Sequence, residues 1–131
     1  MFACMSDYAI KNLMDVEPSN GGPGEQIDVR LARRHLDGTQ LGVSWFRYAP
    51  GFRTIGHRHE VQEEAYVVVA GSGRVKLGDE LVELRRWDVV RVAPQVARGF
   101  EGGPEGMEVI ALGGSKPDGG DGARVEDFWD D

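Results

Sequence analysis

From Ile27 the chain alternates: Ile27, Val29 and Leu31 are separated by Asp28, Arg30 and Ala32, a period of two that predicts a strand. Asp37-Gly38 reads as a turn. A second strand is expected over 40–49, with Leu41, Val43 and Trp45 on one face, until Pro50-Gly51 stops it. The stretch 51–71 supplies two more strands. Gly71-Ser72-Gly73 reads as a turn, and with no helix after it the glycines do not make a phosphate loop. Segments 74–77 and 80–85 flank Gly78-Asp79, a two-residue hairpin turn. Closing there pairs Leu77 with Glu80, Lys76 with Leu81, Val75 with Val82 and Arg74 with Glu83. This sets an apolar pair on one face and opposite charges on the other. A strand over 88–92 follows, then a turn at Ala93-Pro94-Gln95, then a strand sharing Val96, Arg98 and Phe100 on one face. Glu101-Gly102-Gly103-Pro104-Glu105-Gly106 reads as a loop, and 107–112 as the last strand.

The pattern weakens at both ends. Residues 1–25 read as a leader: Ser6 and Asp7 are placed to cap a short helical turn carrying Tyr8, Ile10, Leu13 and Met14, and Ser19-Asn20-Gly21-Gly22-Pro23-Gly24 breaks regular structure. Residues 26–113 form the body. Residues 114–131 read as a Gly-rich, acidic C-terminal tail, anchored by Phe128 and Trp129. Many short strands, regular turns and no long helix make an all-β sandwich or barrel.

Composition narrows the function classes. The 131 residues contain nineteen glycines, 40% hydrophobic and 28% charged residues, with a net charge of −7. An acidic chain is a poor partner for nucleic acid or an anionic membrane, both of which select Lys and Arg. The single cysteine, Cys4, allows no intrachain disulfide, which fits a reducing compartment. No run is long enough to span a membrane as a helix, and Met1 to Met5 lack the basic and apolar regions of a signal peptide. A cytoplasmic protein is expected.

The candidate chemistry lies between residues 57 and 64. In a strand His57 and His59 point to one face while Arg58 points away. With Glu64 they make two imidazoles and a carboxylate, the ligand set of a divalent-metal site with open positions. A histidine pair alone reads as inert barrel packing, and Glu63 competes with Glu64 for the carboxylate role. Glu64 is preferred because period two puts it on one face with Tyr66 and Val68. His35, beside a turn, reads as a solvated side chain rather than a further ligand. The Arg30, Arg33, Arg34 cluster reads as a solvated face. Tyr66, Phe52 and Phe100 are candidates for lining a pocket, although aromatic residues at strand spacing commonly belong to a core. Trp45 and Trp87 read as packing or dimer-interface residues. No serine has a nucleophile setting.

The run Gly51-x5-His57-x-His59-x4-Glu64-x6-Gly71 resembles the first motif of the cupin superfamily in spacing and residue type. Trp87-Asp88-Val89-Val90-Arg91-Val92-Ala93-Pro94-Gln95-Val96-Ala97-Arg98 resembles the second, with Trp87 where a glycine is usual and Arg98 where a histidine is usual. The resemblance covers roughly residues 27–112, and the substitutions resemble a subgroup of short actinobacterial-type cupins. It implies a double-stranded β-helix, or jelly-roll barrel, usually a homodimer. It implies that His57, His59 and Glu64 hold iron, manganese, zinc or nickel, and that the protein binds a small organic molecule. Family activities are diverse, so the fold does not choose among them.

Arg98 changes the chemistry, because a guanidinium has five donors, no acceptor and a permanent charge. One reading keeps a three-ligand metal site, with Arg98 as a bidentate anchor for an anionic ligand and Tyr66, Phe52 and Phe100 around it. A catalytic version is a dioxygenase or a metal-assisted isomerase. The alternative is a metal-free, non-catalytic binding or sensing module in which Arg98 pairs with Glu64. A third is a structural dimer with a vestigial pocket.

Overall fold

The computed structural model describes residues 7–19 and 24–131. Its strands are β1 (Ile27–Leu31), β2 (Gly42–Tyr48), β3 (Gly56–His59), β4 (Glu64–Leu77), β5 (Glu80–Arg85), β6 (Val89–Val92), β7 (Arg98–Gly113) and β8 (Gly122–Val125). One helical turn, α1 (Arg33–Leu36), joins β1 to β2. It ends at Asp37, whose left-handed φ of 52° stops the helix. The strands pair antiparallel in one curled sheet, with the path β1-β2-β7-β3-β8 and with β4 pairing β5, β6 and β7. This is the all-β barrel that the alternation predicts, in the jelly-roll form that the resemblance implies.

The two long strands make the barrel. β4 and β7 pair from Glu64↔Gly113 to Leu77↔Arg98, with register shifts between Val68/Ala70 and Gly71/Gly73. Such bulges bend a strand and change which side chains face in. Before the shifts Tyr66 and Val68 enter the core, and after them Val75 does. Here the sequence-based expectations need correcting. Gly71-Ser72-Gly73 is not a turn, and 101–106 is not a loop: both lie inside continuous strands. The glycines allow the bend. Gly71 has φ 69°, Gly106 has φ 79°, and a Cβ on Gly71 would lie 2.1 Å from the Gly106 carbonyl oxygen. Only glycine accepts that conformation and that approach at no steric cost.

The hairpin of β4 and β5 has the expected register, Leu77↔Glu80, Lys76↔Leu81, Val75↔Val82 and Arg74↔Glu83. β2 sorts as alternation requires. Trp45 is buried on its outer side, its indole donating to Glu108 Oε1 at 3.2 Å. Tyr48 enters the core and Phe46 packs against it. In β1, Ile27 packs against the core, while Asp28 is buried and paired with Arg30 at 2.9 Å.

The segment before β1 lies along it. Arg30 Nη1 donates to the Val16 carbonyl at 2.8 Å, and Pro18 bridges Arg30. The helical turn expected near the start is a shorter 3-10 turn, Leu13–Asp15, capped by Asn12 rather than Asp7. Tyr8 and Ile10 are exposed. Cys4, Ser6 and residues 20–23 lie outside the described residues. At the other end β8 pairs with β3, Phe128 is buried, and the Trp129 indole donates to the Thr54 carbonyl at 2.8 Å. Among the described residues no helix is long and apolar enough to cross a membrane.

Candidate metal centre and its cavity

β3 carries His57 and His59 on one face, and its neighbours are β7 on one side and β8 on the other. Glu64 opens β4. The ligating atoms of these three residues fall within 4.8 Å of one another. His59 Nε2 is 3.1 Å from Glu64 Oε1, and His57 Nε2 is 3.6 Å from the same oxygen. The imidazole planes stand at 89°, with centroids 5.1 Å apart.

The surroundings of Glu64 and Asp121 keep both carboxylates ionised. The Tyr66 hydroxyl donates to Glu64 Oε1. Burial pushes the Glu64 carboxyl up, but the neighbouring His57 imidazole, the Tyr66 hydrogen bond and the His59 imidazole outweigh it and hold the group at about 2. Asp121 Oδ1 lies 2.8 Å from His59 Nδ1, and its other oxygen accepts the backbone N–H groups of Glu60, Val61 and Gln62 at 3.1, 2.6 and 2.9 Å. Burial opposes ionisation of Asp121, but the Val61 and Gln62 N–H groups and the His59 ring hold it below the usual carboxylate range. An ionised Asp121 has only acceptors, so His59 Nδ1 carries the proton in this contact.

That contact tests the fit for a metal. His59 Nε2 is buried and has no hydrogen-bond partner. With the proton on Nδ1, Nε2 keeps a lone pair that no hydrogen-bond donor meets, although Glu64 Oε1 lies 3.1 Å away. A cation bound to both atoms would satisfy it. Metal bonds of about 2.1 Å at tetrahedral or octahedral angles put adjacent ligand atoms about 3.0–3.4 Å apart. The 3.1 Å separation falls in that range and the 3.6 Å one just outside it. The residues therefore fit a divalent ion.

Arg98 occupies the register position opposite His57, but its side chain is 0% exposed. Its terminal nitrogens donate to the carbonyls of Pro94 and Ala93, each at 3.2 Å. Its Nε is buried without a hydrogen bond, 3.9 Å from Glu64 Oε1. Arg98 thus stands behind Glu64, with its donors turned into the protein. Phe100 and Tyr66 are core residues, tilted against each other with ring centroids 4.7 Å apart, and Phe52 stacks on Tyr48 at 6.2 Å. Of these four side chains, the Tyr66 hydroxyl and the Arg98 Nε approach Glu64, and Phe52 and Phe100 belong to the core.

A cavity of 610 Å³ opens beside His57, His59 and Glu64. Phe46, Ala111 and Leu31 give it an apolar wall, and Arg33, Arg34, His35 and Lys116 bring cationic or titratable groups to it. Arg34 and His35 are exposed, as the sequence reading expected, while Arg33 is half-buried, and sequence reasoning did not single out Phe46, Lys116 or Asp121. Asp121 lies 62 positions from His59, in a Gly-rich segment with no local signal of its role.

The cupin-domain family matches residues 44–112, more than half the chain, and the chain belongs to that family. Its fold is shared with a structure described as KdgF from Halomonas sp. (TM-score 0.69, 19% identity, covering 88% of this chain and 98% of that one). A cupin protein from Bacteroides fragilis is also similar (TM-score 0.70, 19% identity, 85% and 86% covered). A variant of oxalate decarboxylase from B. subtilis aligns at TM-score 0.76 and 19% identity, covering 95% of this chain and 34% of that longer one. No curated protein is similar enough in sequence to count as a match.

Proposed function

We propose that this cupin binds a divalent metal through His57, His59 and Glu64, and a small organic anion in the cavity beside it. The observation that carries the reading is the buried, unpartnered His59 Nε2, 3.1 Å from an ionised Glu64. When bound, such a metal supplies Lewis acidity and open positions for a substrate or dioxygen. The protein's own residues do the rest. Asp121 fixes the tautomer of His59, Tyr66 holds one Glu64 oxygen, and Phe46 and Ala111 exclude water along one wall. For a catalytic role these features suit dioxygenation or metal-assisted isomerisation. The burial of Arg98 favours a supporting charge for Glu64 over direct contact with the anion.

The test is metal content after purification without an affinity tag, followed by titration with zinc, iron, manganese and nickel. Near-stoichiometric uptake is expected, and His59→Ala should abolish it. Occupancy that stays near zero with every metal overturns the reading, as does full occupancy in the variant.

One observation favours a second reading: Arg98 Nε faces Glu64 Oε1 at 3.9 Å, and a cation there opposes a dication. In that metal-free module Arg98→His would sharply raise metal affinity and lower ligand affinity. The reading further includes a cytoplasmic homodimer. Exposed Trp87 and Val89, two positions apart in the chain, support self-association, and sedimentation at micromolar concentration tests it.

A further inference from the structure

We propose that the cavity is a carboxylate site whose anchor is Arg33. The proposal deepens the metal-centre reading, on which it rests for what meets the other end of the ligand. Four observations carry it.

First, Arg33 and the three metal-site residues line one cavity, so a single small molecule can touch both. Second, the guanidinium is held in place without being neutralised. Its Nη2 donates to the carbonyls of Gly114 and Gly113, at 2.9 and 3.4 Å. Among the described residues it has no carboxylate partner, whereas Arg30, Arg53, Arg74 and Arg91 all have one. Third, the backbone makes room for it. A Cβ on Gly42 would lie 2.4 Å from Arg33 Nη2, 2.5 Å from Nε and 2.6 Å from Cζ. The flat group lies against bare backbone there, and any larger residue at 42 would push it away. Fourth, Arg34 and Lys116 line the cavity with Arg33, against Glu17 and Glu64, a cationic excess in a chain that carries −7 overall.

With Nη2 turned to the Gly114 and Gly113 carbonyls, Nη1 and Nε remain as charged donors, and charge-assisted hydrogen bonds to a carboxylate are the strongest use of them. The apolar wall of Phe46, Leu31 and Ala111 suits a short carbon skeleton. The ligand class is therefore a small organic acid, with its carboxylate at Arg33 and a second oxygen-bearing group towards His57 and His59.

The test is calorimetric titration of the full-length protein, metal-free and zinc-loaded, with lactate, malonate and succinate and with their uncharged amides. Inorganic phosphate serves as the competing anion. At least one carboxylate should bind, and its amide should bind about tenfold more weakly or worse. Arg33→Gln should lose about tenfold or more in carboxylate affinity with zinc stoichiometry unchanged, and Arg33→Lys should fall between. In the wild-type protein, the bound carboxylate should also slow phenylglyoxal modification of Arg33 but not of exposed Arg86. This measurement does not depend on any variant folding. The proposal is overturned if no carboxylate binds, if amides bind equally well, if Arg33→Gln binds as the wild type does, if Arg33 is not protected, or if phosphate binds more tightly. Failed zinc uptake with Arg33-dependent carboxylate binding intact refutes the metal reading and leaves the anchor standing. Normal zinc uptake without that binding refutes the anchor alone.

Discussion

Asp121 and His59 are joined by a 2.8 Å contact between a carboxylate oxygen and Nδ1, and it ties the last strand of the sheet to the candidate metal centre. β8 begins one residue after Asp121 and pairs along β3, with His59 opposite Gly122 and His57 opposite Arg124. β7 meets β3 at only one position, His57↔Arg98. The strand bearing both histidines is therefore held mainly by the segment after residue 113. A carboxylate that orients a ligating imidazole also makes it a better donor.

Asp121→Asn tests this arrangement. The asparagine oxygen can still accept from the N–H groups of residues 60–62, so the turn survives. Its amide nitrogen would donate to His59 Nδ1 and move the ring proton to Nε2. We expect a folded protein whose zinc affinity, measured by competition with a chelating dye, falls about 10- to 100-fold. Unchanged affinity would show that Asp121 has only a structural role.

Arg98→Met tests the buried cation. Methionine fills similar space, but the carbonyls of Ala93 and Pro94 lose their donors and Glu64 loses its nearest arginine. The loss should be about 3 kcal/mol in urea denaturation, the range for removing a buried charged donor. If Arg98 contacted a ligand in the cavity instead, the substitution would cost binding and spare stability.

The hairpin register, the shared face of His57 and His59 and the place of Glu64 were legible because each is local. Period two and a two-residue turn determine them within a few residues. What failed was the reading of glycines. Gly71 and the run from Gly102 to Gly106 carry turn composition, but the paired strands β4 and β7 bend together there, and a single chain segment shows no sign of its partner's bend. Arg98 lies deeper than its motif position suggests, for a related reason. Arg98 stands at the motif position and was expected to face the ligand, whereas backbone carbonyls four and five residues upstream capture it. Arg33 looked solvated because the glycine that receives it, Gly42, is recognisable only in three dimensions.

Gly71→Ala probes the bend directly. At φ 69° an alanine is strained, and its Cβ would sit 2.1 Å from the Gly106 carbonyl oxygen. Both strands would have to shift. A loss of about 2 kcal/mol or more in thermal or urea unfolding is expected. The same substitution at Gly78, which has φ 60° but nothing near its Cβ position, should cost less, because only backbone strain acts there. Equal costs at the two sites would refute the packing argument.

The C-terminal segment should loosen in acid. Arg53 and Arg74 share Glu101, at 2.6 and 2.8 Å, and reach the Asp131 carboxylate at 2.9 and 3.2 Å. The Arg74 hydrogen bond chiefly lowers the Glu101 carboxyl from its ordinary 4.5, against burial and with help from Arg53. The same arginine chiefly lowers Asp131 from 3.8. Because both folded-state values lie below the free-chain ones, the stabilisation is complete above the ordinary carboxylate range. It is lost as pH falls from about 5 through the depressed values. These side chains are partly exposed, so added salt should weaken the network at neutral pH as well. Hydrogen exchange over residues 122–131 should therefore speed up, relative to the β4–β5 hairpin, between about pH 5 and pH 3 after correction for intrinsic rates. Glu101→Gln should show the faster exchange already at neutral pH. Protection that stays constant down the acid limb, or a variant indistinguishable from the wild type, would mean that Phe128 and Trp129 hold the segment without help from the ion pairs.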